Sequence, residues 1–172
     1  GSIDLDPASS VIANERVKAY TFFSIADNGL QRKWSGNVWM NHPFSKGEKA
    51  CRSKVGRKKM CKKKNCIPKY KKGVLITRGH CITEDIPSNS EWVDQLLRQK
   101  EAGNINQSCN ITFGSTSESW FQKLAAFPQC IIDGRTQYIK PSGEVTKNVT
   151  KGSVVTYLGD DIASFAREFS HL

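Results

Sequence analysis

Residues 46–72 hold thirteen of the chain's 26 Lys and Arg and a single acid, Glu48. The segment carries +12 against a total formal charge of +10, which leaves −2 for everything else. A stretch of this kind has too few apolar groups to fold by burial, and its like charges repel. The core must therefore come from the flanking sequence, and something other than a core must hold the basic segment together. With 172 residues, 38% of them hydrophobic, the chain suffices for one domain that buries roughly 70% of its unfolded surface. A concentrated basic patch suits a polyanion, of which nucleic acid is the usual one; a solvated lysine loop or a nuclear-import signal has the same composition.

Four of the six cysteines, Cys51, Cys61, Cys66 and Cys81, lie in or beside this segment, separated by nine, four and fourteen residues, and His80 adjoins the last. Four thiolates within about 30 residues can close a tetrahedral zinc site, and a metal would supply stability that burial cannot. The spacing lacks the tight two-residue pairs of common zinc modules. Disulfides and unlinked cysteines are the competing readings, the first disfavoured without a secreted context. Cys109 and Cys130 sit in apolar segments and read as buried, inert thiols.

The flanks alternate short apolar runs with amphipathic stretches. Strands are expected near residues 3–9, 21–23, 36–40, 110–113, 130–133, 136–139 and 153–158. Helices are expected near residues 11–20, after Ser88-Asn89-Ser90-Glu91, after Gly114-Ser115-Thr116-Ser117, and from Asp160. Alternation of this kind predicts an α/β sheet with helices on both faces, as one domain carrying a basic, Cys-rich insertion at about 46–87. In such sheets ligands gather beyond the carboxyl ends of the strands. Three polar loops would meet there: residues 4–9, 41–44 and 114–117.

The second of these is the most chemically pointed. Val38-Trp39-Met40 runs straight into Asn41-His42-Pro43-Phe44. Asn41 offers a carboxamide oxygen that can accept from an amino group, Pro43 helps to fix the direction of neighbouring carbonyls, and Phe44 offers a flat face for a planar base. His42 reads as a surface histidine whose side chain has no catalytic part.

In this order the pieces resemble the phage-type DNA adenine-N6 methyltransferases. The likeness covers most of the chain and rests on Asp4-Leu5-Asp6-Pro7-Ala8, on residues 34–45 with their Asn-His-Pro-Phe, on Trp92, on Thr116-Ser117-Glu118-Ser119-Trp120-Phe121 and on Gly134-Arg135. It implies a Rossmann-like fold, S-adenosylmethionine as methyl donor, DNA as partner, and the cytoplasm of a bacteriophage host as location. The family's Asn-Pro-Pro-Phe/Tyr motif holds the extruded adenine. Carried over, Asn41 and the carbonyl of His42 accept from the amine, Pro43 stiffens the loop and Phe44 stacks on the ring. Here His42 replaces a proline, and the glycine-rich cofactor segment is missing. Asp4, Asp6, Pro7 and Ala8 stand where the cofactor loop belongs, as cofactor contacts or as a helix-capping turn. Lys46, Lys58, Lys59, Lys62, Lys63 and Lys64 are the expected phosphate contacts.

Other readings stay open on sequence alone. The same chemistry serves cytosine-N4 and RNA bases, and a catalytically silent nucleic-acid-binding protein with a zinc-stapled basic arm also fits. Gly1-Ser2 reads as a cloning remnant, no secretory signal follows it, and no apolar run approaches the ~20 residues of a membrane span. The glycosylation-like Asn110-Ile111-Thr112 and Asn148-Val149-Thr150 read as accidental.

Overall fold

The computed structural model describes residues 1–51, 61–139, 143–146 and 149–171, and divides into two compact units, Gly1–Phe44 with Asn89–Leu172, and Ser45–Ser88. Lys58, Lys59 and Asn148 lie outside the described residues.

The larger unit is built on β1 (Leu5–Asp6), α1 (Val11–Val17), β2 (Thr21–Phe22) and β3 (Gly36–Met40). The smaller unit then contributes β4 (Lys46–Glu48), β5 (Tyr70–Lys71), β6 (Val74–Leu75) and β7 (Ile86–Ser88). The larger unit resumes with α2 (Asn89–Glu101), β8 (Ile105–Phe113), α3 (Ser119–Gln122), β9 (Gln129–Ile131), β10 (Ser153–Leu158) and α4 (Ile162–Glu168).

Six strands form one sheet in the order β2-β1-β3-β8-β10-β9. β1, β2, β3 and β8 are mutually parallel. β10 is antiparallel to both of its neighbours, so it alone runs against the rest. The architecture is α/β with a mixed, mostly parallel sheet, compatible with a Rossmann-like fold. Among the described residues no helix is long and apolar enough to cross a membrane.

The alternation of side chains along each strand separates two cores. On one face Leu5, Val38, Met40 and Leu158 meet Trp34, Trp92 and Leu96, and next to them Val154 meets Val93, Trp120, Phe121 and Leu124. On the other face Ile111, Val155 and Tyr157 pack with Phe165 of α4. Helices thus cover both faces. Eighteen apolar side chains of this unit bury most of their surface, at about 1.5–3 kcal/mol for complete burial of a Val, Leu, Ile, Phe or Met, whereas the smaller unit has Cys66 alone in this class among its described residues.

Local chemistry sets the ends of the elements. The Ser10 hydroxyl caps α1 by accepting from Ala13 N–H. That helix stops at Lys18, whose φ of 56° is left-handed, before the expected residue 20. Asn14 holds the turn by exchanging hydrogen bonds with Ala19 N–H and C=O. β8 is nine residues long, more than twice the expected run, because Ile105 and Gln107 are carried into the sheet by pairing with β3 and Ser108 by pairing with both β3 and β10, with Asn106 at a bulge between them. The helix expected after residue 117 shortens to α3. Residues 136–139 form no strand and contribute one isolated bridge, Ile139 to Val145.

Candidate functional site

The strand order reverses between β1 and β3: β1 leads outward to β2, and β3 leads the opposite way to β8. A crevice opens at such a point beyond the carboxyl ends, since the two connections depart in opposite directions. Asp6-Pro7-Ala8 leaves β1 there, and Asn41-His42-Pro43-Phe44 leaves β3 beside it, with Leu5 in register with Val38. Two of the polar loops expected from sequence therefore share one edge. The third, Gly114-Ser115-Thr116-Ser117, leaves the carboxyl end of β8, the next strand along.

Asn41 and Pro43 are exposed and Phe44 is half-buried. The Phe44 ring is braced by three others: Phe113 at 4.3 Å, Tyr138 at 5.4 Å edge-on, and His42 at 5.6 Å edge-on. Tyr138 is itself pinned by a 2.7 Å hydrogen bond between its hydroxyl and that of Ser153. Phe113 and Tyr138 were invisible to the sequence reading. The signal for Phe113 was its place at the carboxyl end of β8, and it needed the β3–β8 pairing to be known.

His42 is a correction. It is 1% exposed, stacked at 6.1 Å on Trp92 of α2. Neither ring nitrogen makes a hydrogen bond of good geometry. Burial pushes its pKa down to about 4, although the Asn89 side chain acts in the opposite direction. The imidazole is a neutral core group at pH 7, and only its backbone carbonyl remains for a ligand.

The four residues of the expected cofactor turn separate. Asp6 and Pro7 are buried and Ala8 half-buried. Burial pushes the Asp6 carboxyl up to about 6, against the pull of a 3.1 Å hydrogen bond from Ala8 N–H and of the Ser9 side chain. A carboxylate with about four acceptor positions keeps some unused after these contacts. Asp4 is not brought to this edge. It stands at the amino end of β1, where its carboxylate accepts from Asn37 N–H at 2.7 Å. A side chain on Gly36 (φ 74°) would collide with it, lying 2.4 Å from the Asp4 oxygen.

In the smaller unit, taken by itself, the Sγ atoms of Cys51, Cys61, Cys66 and Cys81 all lie within 4.8 Å of one another. Cys51 is 3.4 Å from Cys66 and 3.8 Å from Cys61, too far for disulfides, and all six cysteines are free. Four converging thiols of this kind could hold a metal ion. A backbone hydrogen bond from Ile82 holds the Cys51 thiol down, to about 7, while its neighbours push Cys81 up to about 12. Arg78 donates to the Cys66 sulfur at 3.4 Å and forks onto Glu48 at 3.0 and 3.2 Å. Glu48, the only acid of residues 46–72, also accepts from Asn65 at 3.2 Å. The Arg78 and Asn65 bonds hold its carboxyl down to about 2.

Lys46, Lys62 and Lys64 are exposed, as phosphate contacts must be. Lys63 differs: its ammonium turns inward to the carbonyls of Lys49 and Ala50 and stands 3.9 Å from Glu48. Cys109 and Cys130 are half-buried rather than buried, and burial pushes the Cys109 thiol up to about 11. Asn110 is fully buried on β8, closed to any glycosyl transfer. No protein-family model, curated protein or solved structure matches this chain.

Proposed function

We propose that the chain is a Rossmann-like methyltransferase that moves a methyl group from S-adenosylmethionine to the exocyclic N6 of adenine in DNA, and that its four-cysteine centre holds zinc. One observation carries the enzymatic part: exposed Asn41 and the buried carboxylate of Asp6 flank the point where the strand order reverses.

Of the cofactor turn, Asp6 is the residue that fits. Its unused acceptor positions suit the ammonium or ribose hydroxyls of the donor, with Ala8 beside it. Asp4 does not fit, because its carboxylate is committed to β3. S-adenosylmethionine supplies a methyl group on positively charged sulfur, with a neutral leaving group, so no strong base is needed before attack.

Adenine's amine is conjugated with its ring and is a poor nucleophile. The Asn41 carboxamide oxygen and the His42 carbonyl each accept one of its hydrogens, which draws the nitrogen toward tetrahedral geometry and localises its lone pair. Phe44 offers the stacking face, and Phe113, Tyr138 and the buried His42 ring keep it from swinging away. Extruding the base costs a few kcal/mol, and stacking returns about 1–3 kcal/mol. Alignment of the reactants supplies up to roughly 7–11 kcal/mol.

The zinc reading rests on donor chemistry. Tetrahedral Zn–S bonds of about 2.3 Å set neighbouring sulfurs about 3.8 Å apart. The 3.4 and 3.8 Å separations meet that with small adjustment. Four thiolates around Zn²⁺ leave a net double negative charge, part of which the Arg78 guanidinium beside Cys66 offsets.

The test is incubation with labelled donor and a mixed DNA and RNA pool, followed by nucleoside analysis. Label is expected in N6-methyladenine of DNA. Asn41→Ala should lower transfer at least a hundredfold while duplex binding stays unchanged. An active Asn41→Ala enzyme would remove the amine acceptor from the scheme. Label on cytosine or in RNA would move the target, and DNA binding without donor binding would leave a silent nucleic-acid clasp.

A further inference from the structure

The smaller unit carries a hairpin that nothing above uses. β5 and β6 pair Tyr70 with Leu75 and Lys71 with Val74. Lys72 and Gly73 form the tip with φ of 50° and 77°, the two left-handed positions of a type I′ turn. Its base is tied off closely. Ile76 N–H donates to Lys69 C=O at 2.8 Å, and Gly79 N–H to Asn65 C=O at 2.9 Å. The Thr77 hydroxyl accepts from Lys69 N–H at 2.9 Å and donates to Ile67 C=O at 2.7 Å. Cys66 and Cys81, two of the four clustered thiols, stand on either side of the hairpin in sequence, so an ion held there joins both of its roots.

The hairpin's surface is unusual for an isolated ribbon. Tyr70 is 68% exposed, Val74 65% and Ile76 58%. Lys69, Lys71 and Lys72 are exposed among them. Residues 49–83 contain no Asp or Glu at all. Apolar groups left bare among ammonium groups, in a stretch of sequence without acids, suit a partner that offers an apolar floor between anionic walls.

We propose that this metal-rooted hairpin docks in the major groove of B-form DNA, with the lysines on the phosphates and, on the base edges, Tyr70 and its cross-strand partner Leu75, which is 44% exposed and shares its face of the ribbon. Dimensions favour that groove. It is about 12 Å wide and admits a two-stranded ribbon, whereas the minor groove is about 6 Å wide. The deep, narrow major groove of A-form RNA excludes side chains. The proposal rests on the reading of the basic segment as a nucleic-acid clasp and is independent of methyl transfer.

The experiment uses the full zinc-loaded chain without methyl donor. Anisotropy of a short fluorescein-labelled DNA duplex is recorded over a range of KCl, alongside an RNA duplex of the same sequence and phosphatidylserine vesicles. Tyr70→Ala and Leu75→Ala should each weaken DNA binding about tenfold with an unchanged salt slope. Joint Lys71→Ala and Lys72→Ala should reduce the log–log salt slope by about 2. RNA binding should not respond to Tyr70→Ala. The Co²⁺–thiolate absorption of each variant shows that the hairpin's root is intact, and these exposed positions should leave it unchanged. DNA affinity unaltered by both apolar variants overturns the proposal, as does an equal loss on RNA. Tyr70-dependent binding to vesicles in preference to DNA assigns the hairpin to a membrane surface instead.

Discussion

His42 gives the most direct test of how the candidate site is built. A histidine whose folded pKa is about 4, against an ordinary 6.5, is protonated far more readily in the unfolded chain. Its contribution to stability is complete above pH 6.5 and is lost as pH falls toward 4. Between pH 7 and pH 5 those two values imply a loss of about 2 kcal/mol from this group alone. Asp6 acts in the opposite sense. Its carboxyl, raised to about 6, takes up a proton in the folded state first, so stability is gained as pH falls through 6. The two trends mask one another in the native protein, and a comparison with His42→Leu separates them. Urea unfolding followed by tryptophan fluorescence, with Trp92 beside the ring as reporter, should show the parent losing about 2 kcal/mol more than the variant over that pH range. Parallel pH profiles would mean that the imidazole stands in solvent, and the packed account of the Asn41 loop would fail with it.

Two further outcomes follow from the same geometry. Arg78→Ala should weaken zinc binding about 10- to 100-fold, read by competition with a chromophoric chelator, because the Cys66 thiolate loses its counter-charge and Glu48 its partner; an unchanged affinity would reduce that contact to coincidence. For Asp6, calorimetric affinity for S-adenosylmethionine should rise with pH through about 6 in the parent, as the carboxylate forms, and be weak and flat in Asp6→Asn. A variant that binds the donor as the parent does would detach β1 from the cofactor.

What was readable in the chain tracks how local the cause is. β3 and β10 agree with expectation at both ends because each is an apolar run bounded by turn residues. The helix α2 and the four converging cysteines rest on signals that are local or nearly so, and the structure has both. Less than half of β8 is legible in sequence because Asn106, Gln107 and Ser108 look like loop until β3 lies beside them, and β10 beside Ser108. The burial of His42 depends on Trp92, fifty residues on, and the bracing of Phe44 on Tyr138 still further along. Lys63 looked like its neighbours, and only the fold of the smaller unit shows that its ammonium serves the backbone of Lys49 and Ala50. Composition told that the basic segment needed a staple; it did not tell that Glu48, a lone acid in a field of lysines, is the group that orients Arg78 toward the sulfur cluster.

That lone acid also explains how so charged an insertion is carried by an ordinary α/β sheet. The chain leaves at Ser45 and returns at Ser88 through an antiparallel ribbon, with Lys46 opposite Ser88 and Glu48 opposite Ile86. The ends of the insertion are thereby joined by backbone hydrogen bonds, so its length adds little closure entropy to the sheet that carries it. Glu48 sits on that ribbon and reaches through Arg78 to Cys66, so the ribbon and the thiol cluster form one hydrogen-bonded unit. Among its described residues this unit buries only Cys66 of its apolar side chains, so on the zinc proposal its order comes from the metal, whereas the sheet draws its order from burial. Chelation should then release the lysines and the hairpin together while the sheet stays folded, so the proposed nucleic-acid binding should be lost while the proposed donor binding at the sheet persists.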